Sequence, residues 1–220
     1  MKYAVLGTGM VGHTLATKLI ALGHEVRMGA RSANNEKAAA WAQANGALAG
    51  NATFADAATW ADRVIFAVNG AAVVQVAEAT TNAAVADKTV IDVTNPLDMS
   101  AGMPPTLVPE LSNTTSAAEA LQATLPDARV VKTLNTMNHE IMVDPFRIPG
   151  SHDVFVSGDN DAAKADAIAL LSEFGWSSPI DLGPLAAARG TEGMMPFWLR
   201  MWGVVGSADF NYRIQQVAAG

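Results

Sequence analysis

The chain has 220 residues, half of them hydrophobic and only 16% charged, with a formal net charge of −7 and no cysteine. That length fits one large domain or a domain with an appendage, and a charged fraction well under the usual quarter or so points to much buried surface, a subunit interface, or both. The acidic balance argues against nucleic acid or an anionic membrane as main partner, and the absence of thiols excludes disulfides, thiolate nucleophiles and cysteine-ligated metals.

Residues 3–6 form a short apolar run, and Gly7-Thr8-Gly9-Met10-Val11-Gly12 follows it and opens an apolar-periodic segment over 10–22. That is strand, tight turn, helix. In the G-x-G-x-x-G spacing the first glycine allows the turn, the second lets the backbone approach a pyrophosphate, and the third packs helix on strand. The helix start then points unpaired N–H groups and its positive dipole end at the phosphates. Alone, the spacing also fits a glycine-rich turn that merely joins strand to helix.

Residues 25–28 read as a second strand, whose end is where a dinucleotide-binding fold inspects the adenosine ribose. An NAD site usually has Asp or Glu there to accept from the 2′-hydroxyl. This chain has Gly29-Ala30-Arg31-Ser32 instead, with Arg31 nineteen residues after Gly12, no carboxylate beside it, and Lys37 one or two helical turns on. A guanidinium pairs with a 2′-phosphate in a bidentate, charge-assisted way, so the pattern reads as an NADP(H) site.

The alanine-rich stretch 33–45 is a helix that Gly46 ends, and 52–54 a short edge strand. RVIFAV (63–68) is the nearly continuous apolar run of a strand buried on both faces, 71–86 a helix, and TVIDV (89–93) another strand. The alternation predicts an α/β fold with a doubly wound, mainly parallel sheet of Rossmann type. Thr94-Asn95-Pro96-Leu97 leaves a strand at its carboxyl end, where ligands sit in such sheets.

Residues 98–113, rich in proline and methionine, read as a loop. Ser116 and Glu119 match a capping box for a helix to about 125. RVVKT (129–133) is the next strand, and the polar cluster Asn135-Thr136-Met137-Asn138-His139 emerges from it as a functional loop or a side-chain-bonded turn. A short strand over 153–156, a helix from its cap at Asp161 to 174 that Gly175 ends, and a last strand over 178–182 follow, with Pro179 implying a sheet edge. The segment 185–206 reads as helical, interrupted at Pro196, and carries Met194, Met195, Phe197, Trp198, Met201 and Trp202. Such a run is core, a dimer interface, or a wall for a flat ligand. The expected division is 1–140 for the dinucleotide-binding domain and 141–220 for a small C-terminal α/β extension with a helical segment on the acceptor side.

His13, His24 and His152 read as structural, and only His139 falls near a ligand position. No hydrolase or metal-site motif occurs, so neither a catalytic acid or base nor a metal ligand is assigned. Direct hydride transfer between two bound rings fits that absence, because it needs alignment more than a proton donor. The first apolar run is too short for a signal peptide, and no stretch spans a bilayer, so a cytoplasmic protein is expected.

The blocks GTGMVG, GARS, VIDVTNPL, VVKTLNTMN, VFVSGD and IDLGPLAAAR, in this order, resemble the NADPH-dependent reductases of coenzyme F420, a deazaflavin, and their bacterial relatives. The likeness covers nearly the whole chain, and the joint order is more specific than any one block. It implies hydride exchange between NADP(H) and the deazaflavin across a cleft between a Rossmann-type domain and a small helical part. Carried over, the phosphate turn is Thr8, Gly9, Met10 and Val11, with Arg31, Ser32 and Lys37 around the 2′-phosphate. Val68 and Ala72 line the cofactor, and Asn95 and His139 lie near the nicotinamide. Ala30 stands where relatives often carry a hydroxyl, which Ser32 can supply. Two further classes stay open: an NADPH reductase of another small acceptor (an imine, a ketone or a ferric chelate) and a non-catalytic NADP(H)-binding sensor. A homodimer acting on a small-molecule acceptor, with neither nucleic acid nor membrane as partner, is expected.

Overall fold

In the computed structural model, which describes residues 1–217, strand β1 (Lys2–Leu6) runs into the glycine turn and helix α1 (Met10–Ala21). The chain continues through β2 (Glu25–Ala30), α2 (Glu36–Ala44), β3 (Ala49–Thr53), α3 (Phe54–Trp60) and β4 (Arg63–Phe66). Helices α4 (Val73–Thr80) and α5 (Asn82–Val85) lead to β5 (Thr89–Asp92), and the pair β6 (Leu97–Asp98) and β7 (Thr106–Leu107) follows. Then come α6 (Ala117–Thr124), β8 (Arg129–Thr133), α7 (His139–Val143), β9 (Phe155–Gly158), α8 (Asp161–Phe174), β10 (Ile180–Asp181), α9 (Ala188–Gly193) and α10 (Met195–Val205). The last three residues of the expected 141–220 extension lie outside the described chain.

Eight strands form one sheet in the order β3-β2-β1-β4-β5-β8-β9-β10. Every neighbouring pair is parallel except β8–β9, which is antiparallel. The order reverses between β1 and β4, and in a sheet wound both ways the crevice beyond the carboxyl ends of those strands is open to a ligand. Period-2 alternation splits the core between two faces. Tyr3 and Val5 of β1 point to the side packed by Leu15, Leu19, Trp41, Leu170 and Phe174, and Ala4 and Leu6 to the side packed by Phe54, Val73, Val76 and Leu121. A third, small cluster docks Met195, Trp198 and Leu199 of α10 on Leu97 and Leu107 of the β6–β7 pair and on Phe210 and Tyr212.

The elements depart from the sequence reading at several points, among them α2, which starts at Glu36 rather than 33, β9, which runs over Phe155–Gly158 rather than 153–156, and α7, a helix not expected after the polar cluster. The helix expected over 71–86 is a 3₁₀ turn (Gly70–Ala72), then α4 and α5, broken where Thr81 takes φ +71°. The loop 98–113 contains the β7 strand that pairs with β6. The edge strand starts earlier than 52 and stops at Thr53, whose hydroxyl accepts from the Asp56 amide and starts α3, an unexpected helix. The cap of α8 is Asn160, whose side chain accepts from the Ala163 amide, so Asp161 is the first helical residue and not the cap. Pro196 sits in the first turn of α10, where its missing N–H costs nothing, and the break between helices falls just before it, at Met194.

Candidate dinucleotide and acceptor site

Gly7 adopts φ +128°, and a Cβ there would lie 2.4 Å from the Ala67 carbonyl oxygen, so the turn and the packing both demand glycine. A Cβ on Gly12 would lie 2.2 Å from the Gly7 carbonyl oxygen, which is the close helix–strand contact expected of the third glycine. Gly9 differs. It is the N-cap of α1, and a Cβ built on it would meet nothing within 4 Å. No side chain caps this helix and its first turn has no acidic residue. The first amide to pair back is that of His13, to the Gly9 carbonyl at 2.9 Å, which leaves the amides of residues 10–12 as a helix start leaves them, without an intrahelical acceptor.

Beside this turn lies a cavity of about 310 Å³ lined by Gly7, Thr8, Gly9, Arg31, Val68 and Ala72, together with Asn35, Phe54 and Asn69. A second cavity, of about 600 Å³, is lined by Met10, Val11, Val68, Asn95 and His139 and by the C-terminal residues Met195, Trp198, Leu199 and Trp202. Ala67, Val68 and Asn69 belong to both, so one cleft crosses the carboxyl ends of the central strands. No Asp or Glu lines either cavity. Of the residues singled out in the sequence, Gly12 is buried behind the turn, and Ser32 and Lys37 are exposed and line neither cavity. The Ser32 hydroxyl accepts from the Asn34 amide at 3.2 Å. Among the described residues Arg31 forms no ion pair, which leaves its guanidinium available to an anion.

The floor of the second cavity is locked by side-chain amides. Asn95 Nδ2 donates to the Asn135 carbonyl at 2.8 Å, and Asn135 Nδ2 donates to Asn95 Oδ1 at 2.9 Å, tying the segments after β5 and β8 together. The Gly70 amide donates to the Asn95 carbonyl at 3.1 Å, and a Cβ on Gly70 would lie 2.3 Å from that oxygen, so the turn after β4 is pressed against the same segment. His139 Nδ1 and Thr14 Oγ1 are 2.8 Å apart, which fixes the imidazole against α1. His13 and His24 pack on Trp41 and Tyr3, and His152 on Trp176, with Nε2 2.9 Å from the Pro145 carbonyl, away from the cleft.

Two buried polar atoms of residues in this cavity's wall, Thr94 Oγ1 and Trp198 Nε1, have no hydrogen-bond partner. Helix α10 has two faces: Met195, Trp198 and Leu199 are buried, whereas Phe197 and Val204 are 56% and 82% exposed. Sequence reasoning missed Asn35, Phe54 and Asn69, whereas Asn138, a member of the polar cluster after β8, lines the second cavity. Asn35 fell inside the stretch read as helix from 33, but α2 starts at Glu36 and Asn35 caps it, its Oδ1 accepting from the Ala38 amide at 3.0 Å; an Asn ahead of an acidic first turn was the signal. Asn69 was hidden because the strand RVIFAV stops at Phe66, so the turn starts earlier than its apolar residues suggest.

Residues 2–96 match the family described as NADP oxidoreductase, coenzyme F420-dependent. A solved structure from Arthrobacter sp. FB24, described provisionally as an F420-dependent NADP reductase, is 46% identical, with 98% of this chain and 100% of that chain covered at a TM-score of 0.91. The metalloreductase STEAP3 of Rattus norvegicus is 28% identical over 205 residues, which cover 90% of this chain but only 38% of that protein. The chain therefore spans about two fifths of the length of that relative. A reductive aminase from Aspergillus terreus, solved with NADPH4, cyclohexanone and allyl amine, is 21% identical at a TM-score of 0.64, with 93% of this chain and 62% of that chain covered, a likeness of fold. Among the described residues no helix is long and apolar enough to cross a membrane, and no cluster of His, Asp or Glu could hold a metal ion.

Proposed function

The chain belongs to the family of coenzyme F420-dependent NADP oxidoreductases, and from that premise we propose that it passes a hydride between NADP(H) and a planar acceptor, the deazaflavin coenzyme F420. The observation that carries this reading is the single carboxylate-free cleft that joins the open glycine turn and Arg31 at one end to Asn95, His139 and Trp198 at the other. The amides of Met10, Val11 and Gly12 receive the pyrophosphate in the space that Gly9 leaves empty. Arg31 pairs with the 2′-phosphate, with Ser32 and Lys37 at its exposed rim, and Val68 and Ala72 line the cofactor along the first cavity.

When bound, NADPH supplies the hydride and the acceptor ring takes it up. The protein aligns the two rings: Asn95, clasped by Asn135, and His139, held by Thr14, stand at the nicotinamide end, while Met10, Met195, Trp198 and Leu199 exclude water around the acceptor. No side chain serves as an obligatory acid or base. The orphaned Thr94 hydroxyl and Trp198 N–H support a ligand with polar edges at this wall, since a buried donor left unpaired costs about 1–3 kcal/mol. Residues 1–140 are the cofactor half and 141–220 the acceptor half. The outward face of α10, with Phe197 and Val204, joins two copies in a homodimer, and light scattering at micromolar concentration tests that reading.

Mixing the protein with NADPH and oxidised coenzyme F420 and following the deazaflavin absorbance tests the reaction. Loss of the oxidised band in step with NADPH is the expected result. Turnover with an imine, a ketone or a ferric chelate but not with the deazaflavin would overturn the acceptor, and tight NADPH binding without turnover of any of them would favour a sensor.

A further inference from the structure

Strand β8 carries a lysine where an apolar residue would serve the sheet better: Lys132 is 1% exposed, and it faces two equally buried carboxylates, Asp92 at 0% and Glu192 at 2%. Its Nζ donates to Asp92 Oδ2 at 3.0 Å and to the Thr94 carbonyl at 2.5 Å, and it pairs with Glu192 Oε1 at 2.7 Å, so each ammonium proton has an acceptor. Asp92 in turn accepts from the Thr94 amide at 2.9 Å, and Glu192 from the amides of Ala117 at 2.8 Å and Ala118 at 3.2 Å at the start of α6. Burial alone would depress the ammonium, but the Asp92 and Glu192 carboxylates hold it above the usual lysine value, and it stays charged.

An ionic cluster sealed in a core is seldom the most stabilising filling for its space, because desolvation consumes most of the attraction. The three acceptors lie on different parts of the acceptor cavity's frame. Asp92 ends strand β5 and Thr94 follows it, and Thr94 and Asn95 line the cavity from the sheet side. Glu192 lies in the last turn of α9, about one turn before Met195 and two before Trp198 and Leu199, which line it from the helical side. We propose that Lys132 is a positioning residue: one buried ammonium sets the segment after β5 and the α9–α10 junction in register, and so fixes both walls between which the acceptor ring lies. The proposal rests on the acceptor reading given above.

The test uses the full chain and two substitutions at Glu192. Glu192→Met removes the tie to α9, together with the acceptor of the Ala117 and Ala118 amides at the start of α6, and leaves the neutral Asp92–Lys132 pair, so no uncompensated charge is buried, whereas Glu192→Gln keeps one acceptor oxygen for Lys132. Hydrogen exchange without any ligand should rise about tenfold in both the 93–97 segment and α10 of Glu192→Met, with β1 and β4 unchanged and Glu192→Gln in between. In turnover the acceptor KM should rise about tenfold while the NADPH Kd stays within about twofold, and Glu192→Gln should restore most of the loss. Exchange that rises across the whole sheet, or in α9 alone, would overturn the proposal, as would an acceptor KM that does not move or that moves together with the NADPH Kd. Should Glu192→Met fail to fold, Glu192→Gln against the unmodified protein carries the same comparison. A parent protein that does not reduce the deazaflavin would sink the acceptor reading, while the exchange measurement would still decide whether Lys132 couples the two walls.

Discussion

Gly9→Ala should separate cofactor binding from folding. Gly9 has φ −83° and ψ −179°, a backbone that any L-residue adopts, and its Cβ position is open space. Replacing glycine removes unfolded-state freedom, worth about 0.4–1 kcal/mol in favour of the fold. Alanine is a poorer N-cap than glycine by a comparable roughly 0.5–1 kcal/mol. The two nearly cancel, so Tm should stay within about 2–4 °C of the parent. In the proposed NADP(H) complex, however, the new methyl would occupy the approach to the pyrophosphate. Loss of one charge-assisted amide contact costs about 1.5–3 kcal/mol, or roughly 10- to 100-fold in NADPH Kd. Gly12→Ala provides the contrast, because its Cβ would lie 2.2 Å from the Gly7 carbonyl oxygen and the backbone must move, so a melting loss of about 1–3 kcal/mol or more is expected. Thermal melts and NADPH fluorescence titrations of both variants decide the matter. A Gly9→Ala protein that binds NADPH like the parent, or that melts as early as Gly12→Ala, would refute the reasoning.

Arg31→Asp should erase most of a roughly 10- to 100-fold preference for NADP(H) over NAD(H), read as the ratio of two dissociation constants; equal constants in the parent would remove the 2′-phosphate assignment. His139→Ala should keep appreciable turnover if the imidazole, held by Thr14, aligns a ring without moving a proton as proposed; complete loss of rate with NADPH binding intact would contradict a purely positional site. The Arg189 guanidinium beside Glu119 holds its carboxyl below the usual range, with the Ser116 hydroxyl helping, and the Thr89 hydroxyl and Arg63 do the same for Asp166 against its burial. A depressed folded pKa gives stability that is present above the unfolded value, about 4, and lost as pH falls through the folded one. Melting midpoints should therefore drop on acidification below about pH 4, and Glu119→Gln, less stable than the parent at pH 7, should converge with it at low pH.

The alternation of apolar strands and alanine-rich helices made the doubly wound fold legible, because a strand buried on both faces writes its hydrophobic run directly into the sequence, as β4 and β5 do. The glycine turn was legible for a related reason: the clashes at Gly7 and Gly12 are local, within one strand–turn–helix unit, so the residues they require sit at fixed spacing. Helix α3 was not read, although Thr53 and Asp56 carry its cap, because its alanines follow directly on an edge strand with no intervening turn. The break between α4 and α5 depends on Thr81 taking a positive φ that nothing in its own identity announces. Lys132 looked like the polar member of a strand. Its partners stand at 92 and 192, and only the pairing of β5 with β8 and the return of α9 bring them together. The cleft's polar detail behaves alike: Asn95 was marked by its place at a strand end, but its clasp with Asn135 is a tertiary event.

Isotope transfer bears most directly on the central claim that one cleft aligns NADP(H) and a planar acceptor for hydride exchange. The protein is given oxidised coenzyme F420 with NADPH deuterated at C4, in separate reactions with each of the two C4 epimers. The mass of the reduced deazaflavin is then read. A single deuterium should appear at C5 of the product with one epimer and not with the other, because an aligned site presents one face of the nicotinamide to the acceptor. Deuterium lost to water with both epimers, or no reduced deazaflavin at all from a protein that binds NADPH, would contradict direct transfer within this cleft.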